Sequence, residues 1–305
     1  MFSQHWLAIL IVDPPPGTQS VPELPEVETI VKDLTSNLPG RKISSVKVLR
    51  TDSVAFPSAS NFARAVTGLS FIRIFRRGKY LLFDLSGSAG LVVHLRMSGR
   101  FLLVAQGAPT SKHSRLSFLL DDGQQLIFED MRVFGRIWYK PPENSFEEIV
   151  PSLAELGKEP LTDLDAAYMH SAFKKRSQAI KTVLLDQRVI AGIGNIYADE
   201  VLYLSGIHPL RRAMDLGESE LDTLVRSIRQ VLSQAIALGG SSLRNYTNVR
   251  GIHGQYQGQS LVYGRTGAPC LTCQNPLVKI RIAGRSTHYC QLCQRQAADS
   301  GKNSR

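Results

Sequence analysis

Long apolar runs, scattered cysteines and a balancing number of acidic residues are all missing from this 305-residue sequence. The apolar segment Trp6–Val12 is far shorter than the roughly 20 residues that span a bilayer. No lysine or arginine precedes it, as a secretion signal requires. The four cysteines all lie between positions 270 and 293, which argues against a disulfide framework distributed through a secreted fold. These absences predict a cytoplasmic protein.

The shortage of acidic residues leaves a strongly basic chain, with 36 Lys and Arg against 26 Asp and Glu and a formal net charge of +10. Basic side chains set against phosphates release condensed counterions, so this excess favours a polyanionic partner such as DNA. Many basic proteins never bind nucleic acid, and charge alone does not identify the partner. The length is sufficient for two domains with separate cores.

The first half of the chain has a helix followed by short strands. Residues 1–21 include Asp13–Gly17, whose three consecutive prolines disfavour helix and central strand. From Pro22, apolar residues recur at helical spacing up to Gly40. Eight segments rich in β-branched and aromatic residues follow, which predicts an antiparallel sandwich or barrel. They are Ile43–Arg50, Leu69–Phe75, Tyr80–Leu85, Leu91–Leu95, Arg100–Val104, Arg115–Leu120, Gln125–Glu129 and Arg136–Tyr139.

The second half is helical and ends in a cysteine module. Pro141 and Pro142 begin a predicted linker over 141–150. Apolar residues then recur at three- and four-residue intervals in four segments, Leu161–Lys175, Gln178–Asp186, Asn195–Ser205 and Glu218–Leu238. The predicted fold class is therefore α+β, with a sandwich domain at 22–140, a helical domain at 151–262, a small module at 263–295 and a tail at 296–305.

The cysteines form two CxxC pairs, Cys270 with Cys273 and Cys290 with Cys293. Two such pairs converge on one tetrahedral four-thiolate zinc site, and a site of this kind is structural because no coordination position stays open. Two short predicted strands between the pairs flank Ala283–Arg285, which indicates a β-hairpin. Arg285 at its tip is either a solvated surface residue or a phosphate contact.

Six blocks in the chain resemble, in order, the signatures of the formamidopyrimidine-DNA glycosylase and endonuclease VIII family. They also imply that family's helix–two-turn–helix, around Gly192–Asn195, within the helical domain. The blocks are Pro22–Glu28, Arg76–Tyr80, His94–Gly99, Asp130–Gly135, Gly192–Glu200 and Gly284–Cys290.

This resemblance implies base excision from damaged double-stranded DNA by a covalent mechanism. Pro22 is then the nucleophile, because a free secondary amine attacks C1′ and gives an iminium that permits strand cleavage. Glu23 is the general acid/base, although a carboxylate there is also favoured simply by the start of a helix. Lys79 resembles the lysine assigned to β-elimination, and Arg285 resembles the zinc-finger arginine assigned to δ-elimination.

The resemblance also implies a set of DNA contacts. Asn195 is expected to cap the following helix while facing a phosphate. Met97, Arg132 and Phe134 match the residues that fill the gap left by an extruded base, although core packing is the ordinary role of Met and Phe. Further expected DNA contacts are His94, His113, Arg176 and Lys181.

Three functional hypotheses follow from these residues. The gap-filling set favours oxidised purines, 8-oxoguanine and formamidopyrimidines, as substrates of a glycosylase with lyase activity that works as a monomer. An enzyme acting on oxidised pyrimidines is the alternative within the same fold. A non-catalytic DNA-binding protein is the third, because an internal proline has no nucleophilic nitrogen. We expect translation to start at Val21, read from a GTG codon, so that methionine removal exposes Pro22.

Overall fold

The computed structural model describes residues 21–108, 110–241 and 254–296. Helix α1 (Leu24–Thr35) opens the fold with Pro25 in its first turn and a capping box formed by Glu23 and Glu26. These features satisfy the amide groups that a helix N-terminus leaves unpaired. Leu24 belongs to the core of the helical domain, whereas the later apolar residues of α1 pack into the sandwich core. Helix α1 therefore starts where the two domains meet.

Two sheets pack together to form the predicted sandwich. One has the strand order β1-β7-β8-β6 and the other β2-β9-β5-β4-β3. Neighbouring strands are antiparallel except for the short parallel pair β2 and β9. The strands are β1 (Ile43–Val48), β2 (Val54–Phe56), β3 (Phe71–Arg77), β4 (Tyr80–Leu85), β5 (Gly90–His94), β6 (Gly99–Ala105), β7 (Ser114–Leu120), β8 (Gln124–Asp130) and β9 (Arg136–Lys140).

Three short elements were absent from the sequence prediction. Strand β2 and helix α2 (Ala59–Val66) lie between β1 and β3, and α2 buries only Phe62 and Val66. Helix α3 (Phe146–Ile149) occupies the expected linker, where Phe146 and Ile149 pack against the outer face of the second sheet. Each element is too short to show a periodic pattern, so its structure depends on contacts made by the folded sandwich.

The second domain is helical, as predicted, with shorter elements than the periodicity suggested. Helix α4 (Ala166–Phe173) starts only after Asp165, whose side chain accepts a hydrogen bond from the Tyr168 amide. The remaining helices are α5 (Ile180–Leu184), α6 (Asn195–Leu204) and α7 (Glu218–Ala237). Among the described residues, no helix is both long and apolar enough to cross a membrane.

A β-hairpin follows the helices and rests on one of them. Strands β10 (Val278–Ile282) and β11 (Arg285–Tyr289) pair antiparallel around a turn at Ala283 and Gly284. Strand β11 packs against α6. The observed architecture is thus the predicted α+β fold, with sandwich, helical domain and hairpin brought together around the start of α6.

Candidate active site

A cavity of about 370 Å³ lies where the sandwich, the helical domain and the hairpin meet. The sandwich domain contributes Glu23 and Lys79, the helical domain contributes Asn195, and the hairpin contributes Arg285. Residues far apart in the sequence thus converge on one space. Further lining residues are Val21, Gln187, Ile193, Gly194, Tyr263, Lys279 and His288.

Glu23 is buried beside the cavity and anchors the start of the chain to helix α6. Its carboxyl oxygens accept hydrogen bonds from the backbone amides of Ile196 (2.9 Å) and Tyr197 (3.4 Å). Any side chain at Gly194 would overlap the Glu23 carboxyl group. The glycine is therefore required for this close approach. Pro22 is buried and lies in the chain between Val21 and Glu23, which both line the cavity.

The cap of α6 differs from the one expected. Gly194 is the N-cap residue and Asn195 is already the first helical residue. The Glu23 carboxylate satisfies the free amides instead. The Asn195 side chain donates from Nδ2 to the Ser286 carbonyl oxygen at 3.0 Å. Asn195 thus lines the cavity, but the prediction that it caps α6 was wrong.

Burial and mutual attraction control the charges of Glu23 and Lys79. Burial raises the pKa of Glu23, while the Lys79 ammonium and the α6 amides oppose that shift. Burial lowers the pKa of Lys79, assisted by the positive charge of Arg285 and opposed by Glu23. A carboxyl group and an amine whose pKa values move toward neutrality are suited to proton transfer at physiological pH.

Glu26, which the sequence analysis did not single out, belongs to the same buried network. Its oxygens accept from the Glu23 amide (2.9 Å), the Tyr197 hydroxyl (2.6 Å) and the Ser241 amide (2.7 Å). Burial, and then the charge of Glu23, raise the pKa of Glu26 to about 7. The block Pro22–Glu28 already contained the signal for this role, because it places two carboxyl groups three residues apart.

Gln187 is a site residue for which the sequence gave no signal. Its side chain accepts from the Gly192 amide (2.9 Å) and donates to the Ile193 carbonyl oxygen (2.8 Å). These bonds hold the turn that leads to Gly194. A single glutamine between two helical segments carries no distinctive pattern, so only the folded turn reveals its function.

The structure contradicts the expected DNA contact of Lys181. Its side chain is 1% exposed, and Nζ lies 2.5 Å from Asp199 Oδ1. Nζ also donates to the Ser286 carbonyl oxygen and to the Thr287 hydroxyl. Lys181 therefore joins α5 and α6 to the hairpin, and it has no surface with which to reach a phosphate.

The four cysteine sulfur atoms form one compact group. All four lie within 4.8 Å of one another, with Cys270 and Cys293 Sγ atoms 3.8 Å apart and Cys273 and Cys290 Sγ atoms 3.4 Å apart. Tetrahedral zinc with sulfur ligands at about 2.3 Å requires separations near these values. The four thiolates fit one structural Zn²⁺, which would hold the base of the hairpin.

The expected gap-filling residues lie on two turns, one with Met97 and one with Arg132 and Phe134, and hydrogen bonds of Asp130 connect the two. Buried Asp130 accepts from the amides of Arg132 (3.1 Å) and Gly135 (2.6 Å), and it also bonds to the Ser98 hydroxyl. The Arg132 guanidinium lies 5.0 Å from the centre of the exposed Phe134 ring. Met97, next to Ser98, is half-buried. Arg132 and Phe134 are exposed, and neither belongs to a hydrophobic core.

The two histidines occupy different environments. His94 is nearly buried against Tyr80, and its Nδ1 accepts from the Arg96 amide at 3.0 Å. Burial, with the charges of Arg96 and Lys79, lowers the pKa of His94 to about 3. His113 is half-buried, and its carbonyl oxygen accepts from the Asp130 amide.

Arg176 does not line the cavity. It is one-third exposed and forms an ion pair with Asp186 at 3.1 Å. The extension before Val21 and residues 242–253, within the segment 241–263 that by the same resemblance takes the place of the family's lesion-recognition loop, lie outside the described residues.

Comparison with known proteins identifies three family segments in the order expected. Residues 21–137 match the formamidopyrimidine-DNA glycosylase N-terminal domain, residues 156–247 the formamidopyrimidine-DNA glycosylase H2TH domain, and residues 267–296 a zinc finger found in FPG and IleRS. The formamidopyrimidine-DNA glycosylase of Gloeobacter violaceus is 47% identical over 278 residues, covering 90% of this chain and 98% of that protein.

Solved structures of Lactococcus lactis Fpg share the fold. Its complex with DNA containing an abasic site has a TM-score of 0.83 and 38% identity, covering 90% of this chain and all of the other. Its complex with DNA containing an oxidised pyrimidine has a TM-score of 0.83 and 37% identity, with the same coverage. The chain belongs to the formamidopyrimidine-DNA glycosylase family.

Proposed function

We propose that the cavity is the active site in which this chain excises oxidised purines from double-stranded DNA and then cleaves the strand. The observation that carries this proposal is the convergence of Glu23, Lys79 and Arg285 on one space beside Pro22. An acid and an amine from the sandwich domain and a guanidinium from the hairpin supply proton transfer and phosphate binding in one place.

The residues act in sequence in this proposal. The Pro22 nitrogen attacks C1′ of the damaged nucleotide and the bond from C1′ to the base breaks. Glu23 then supplies a proton to O4′ as the C1′–O4′ bond opens, which leaves an iminium between Pro22 and C1′. The iminium draws electrons from C1′, so the C2′ proton becomes acidic and the 3′ phosphate is lost by β-elimination. Lys79 assists that step, and Arg285 assists the subsequent δ-elimination at the 5′ phosphate.

Pro22 acts this way only with a free amine, so we propose that the active enzyme begins at Pro22. In the chain as given, Val21 acylates this nitrogen and also lines the cavity. The family match begins at residue 21, and the Gloeobacter relative is covered almost completely by 90% of this chain. Both observations support initiation at position 21, with loss of methionine.

DNA is held by all three parts of the protein in this proposal. Residues 22–140 carry the chemistry and the gap-filling turns with Met97, Arg132 and Phe134. Residues 151–262 present Asn195, and residues 263–295 bring Arg285 to the phosphates. His94, His113 and Arg176 remain proposed DNA contacts, and one copy of the chain contains every proposed catalytic group.

Paired cleavage assays test the substrate class. With a chain beginning at Pro22, we expect duplexes containing 8-oxoguanine or a formamidopyrimidine to be cleaved about tenfold or more faster than a thymine glycol duplex. Glu23→Gln preserves the shape of the side chain and removes the acid, so cleavage of every lesion should fall by about 100-fold or more.

Oxidised pyrimidines are the second candidate substrate, because Lactococcus lactis Fpg has been crystallised with such DNA. Faster cleavage of thymine glycol than of both purine lesions would assign the chain to that activity. Release of no damaged base by a chain verified to begin at Pro22 would contradict the enzymatic proposal.

A further inference from the structure

The catalytic lysine of the proposed mechanism is carried by a two-residue turn. Gly78 and Lys79 join β3 to β4, and Gly78 has a positive φ of 53°. A turn this short transmits any displacement of its backbone directly to the Lys79 side chain. The position of the amine relative to Glu23 and the DNA therefore depends on whatever holds this turn.

Glu159, from the helical domain, holds the turn from outside the sandwich. Its Oε1 accepts from the Gly78 amide at 2.7 Å and from Arg77 Nη1 at 3.1 Å. Its Oε2 accepts from Arg76 Nη1 at 2.6 Å. One carboxylate thus binds three consecutive residues immediately before Lys79, and its side chain is only 15% exposed.

The two arginines that Glu159 binds also bond to other parts of the protein, Arg76 to helix α1 and Arg77 to the segment that precedes Glu159. Arg76 Nε donates to Glu28 of helix α1 at 2.6 Å. Arg77 Nη2 donates to the carbonyl oxygens of Leu156 and Gly157 at 2.8 and 2.6 Å. Charge-assisted bonds of this kind are short and directional, so the turn is fixed to α1 and to the segment that carries Glu159.

The segment that carries Glu159 is itself hydrogen-bonded to the turn that leads to Gly194. The Gly157 amide donates to the Gln187 carbonyl oxygen at 2.9 Å, and the Ala191 amide donates to the Lys158 carbonyl oxygen at 3.0 Å. A side chain at Gly157 would overlap the Val189 backbone. Glu159 therefore connects the turn that carries Lys79 to the residues before Gly194, the glycine against which Glu23 packs.

We propose that Glu159 is a positioning residue that places the Lys79 amine across the cavity from Glu23. This inference rests on the proposed function, because it assigns Glu159 a role in the β-elimination step attributed to Lys79. Glu159 does not line the cavity, so it acts through the turn. Its loss should slow strand cleavage more than formation of the covalent intermediate, which requires Pro22.

The test uses chains beginning at Pro22 and a duplex with one abasic site. Two single-turnover rates are measured, namely borohydride trapping of the iminium and strand cleavage without borohydride. Glu159→Gln keeps one accepting oxygen and loses the charge-assisted bond to one arginine. We expect cleavage to fall by about tenfold while trapping changes less than about twofold, and Glu159→Ala should slow cleavage further. Glu155→Gln, an exposed acid in the same segment, should leave both rates unchanged.

A double-mutant cycle separates positioning from general loss of structure. In a Lys79→Ala background, Glu159→Gln should change the residual cleavage rate by less than about twofold, because the residue through which it acts is gone. An unchanged cleavage rate in Glu159→Gln, equal losses of trapping and cleavage, or an undiminished effect in the Lys79→Ala background would each overturn the inference. Absence of trapping in the unsubstituted chain would instead contradict the proposed function itself.

Discussion

Glu23 shows how one residue serves both folding and the proposed chemistry. Its carboxyl group caps α6 through the Ile196 and Tyr197 amides, and the same group faces the cavity beside Lys79. Hydrogen bonds to the helix N-terminus favour the anion, whereas burial favours the neutral acid. This opposition gives the side chain access to both protonation states, as a general acid/base requires.

His94 gives a pH prediction at the scale of one residue. Its Nδ1 accepts the Arg96 amide hydrogen, so the folded protein requires the neutral ring. The pKa falls from 6.5 to about 3 on folding, and the unfolded chain therefore binds the extra proton between those values. The stabilisation by neutral His94 is fully present above pH 6.5 and is lost as the pH falls toward 3, at about 1.4 kcal/mol per pH unit.

Urea unfolding at pH 7, 6 and 5 measures this dependence. Replacement of His94 by Gln leaves a side chain that stays neutral throughout. The free energy of unfolding should then fall less steeply as the pH is lowered, by about 1.4 kcal/mol per pH unit, which corresponds to the uptake of one proton. Parallel declines in the two proteins would contradict a buried neutral His94.

At the residue scale, sequence motifs identified the groups whose chemistry is distinctive. Glu23, Lys79, Arg285 and the cysteines stand in recognisable blocks, and the structure brings the first three to one cavity and the cysteines to one cluster. The prediction that Lys181 contacts DNA at the surface was wrong, because a lysine can be buried where the fold provides an acidic partner for it. Here Asp199 comes from another helix.

The hairpin is the element whose placement depends most on buried charge. Asp199 on α6 contacts Lys181 through Oδ1 and accepts from the His288 amide (2.8 Å) through Oδ2, which also lies 3.1 Å from His288 Nδ1. Strand β11 is thereby attached to α6 at His288, which lies three residues after Arg285 in the chain. Zinc at the four cysteines would hold the base of the hairpin, and the Asp199 network holds the strand that carries Arg285.

Replacement of Asp199 by Asn tests this attachment. The substitution leaves the Lys181 ammonium buried without its counter-charge, which should lower the free energy of unfolding by about 3–5 kcal/mol. In a folded sample at low temperature, the fraction of δ-elimination product should fall relative to β-elimination product, because Arg285 is less well placed. Gel separation of the two strand ends reports that ratio.

Asp215→Asn is the matched control, since Asp215 forms an exposed ion pair with Arg212. Pairs of this kind contribute about 0–1 kcal/mol, so neither stability nor product ratio should change appreciably. An Asp199→Asn protein with unaltered product ratio would show that the network stabilises the fold without placing Arg285.

Elements rich in apolar residues were predictable, and those with few were not. Helix α1 occurs almost where the sequence put it because its apolar residues repeat over several turns, and strand β4 does so because five of its six residues are apolar or aromatic. Strand β2 and helices α2 and α3 have at most eight residues each. Their few apolar side chains gain stability only from surfaces that the rest of the sandwich creates.

At the scale of the whole molecule, the candidate active site lies between the domains, and residues of the sandwich, the helical domain and the hairpin all line it. Leu24 packs in the helical core while Val27 packs in the sandwich core, so α1 joins the two at the residue after Glu23. Glu159 adds a second tie beside Lys79. The sequence indicated two domains and a hairpin, but their mutual arrangement follows from these long-range contacts, which no local pattern encodes.

Borohydride trapping tests the central claim most directly, because a free Pro22 amine gives a reducible iminium and the amide nitrogen of an internal Pro22 gives none. Two chains are compared on duplex DNA containing an abasic site, one shown by mass spectrometry to begin at Pro22 and one that retains Val21. We expect a covalent protein–DNA adduct with the first chain and none with the second. An adduct with the chain that retains Val21, or none with the chain that begins at Pro22, would contradict the assignment of Pro22 as nucleophile.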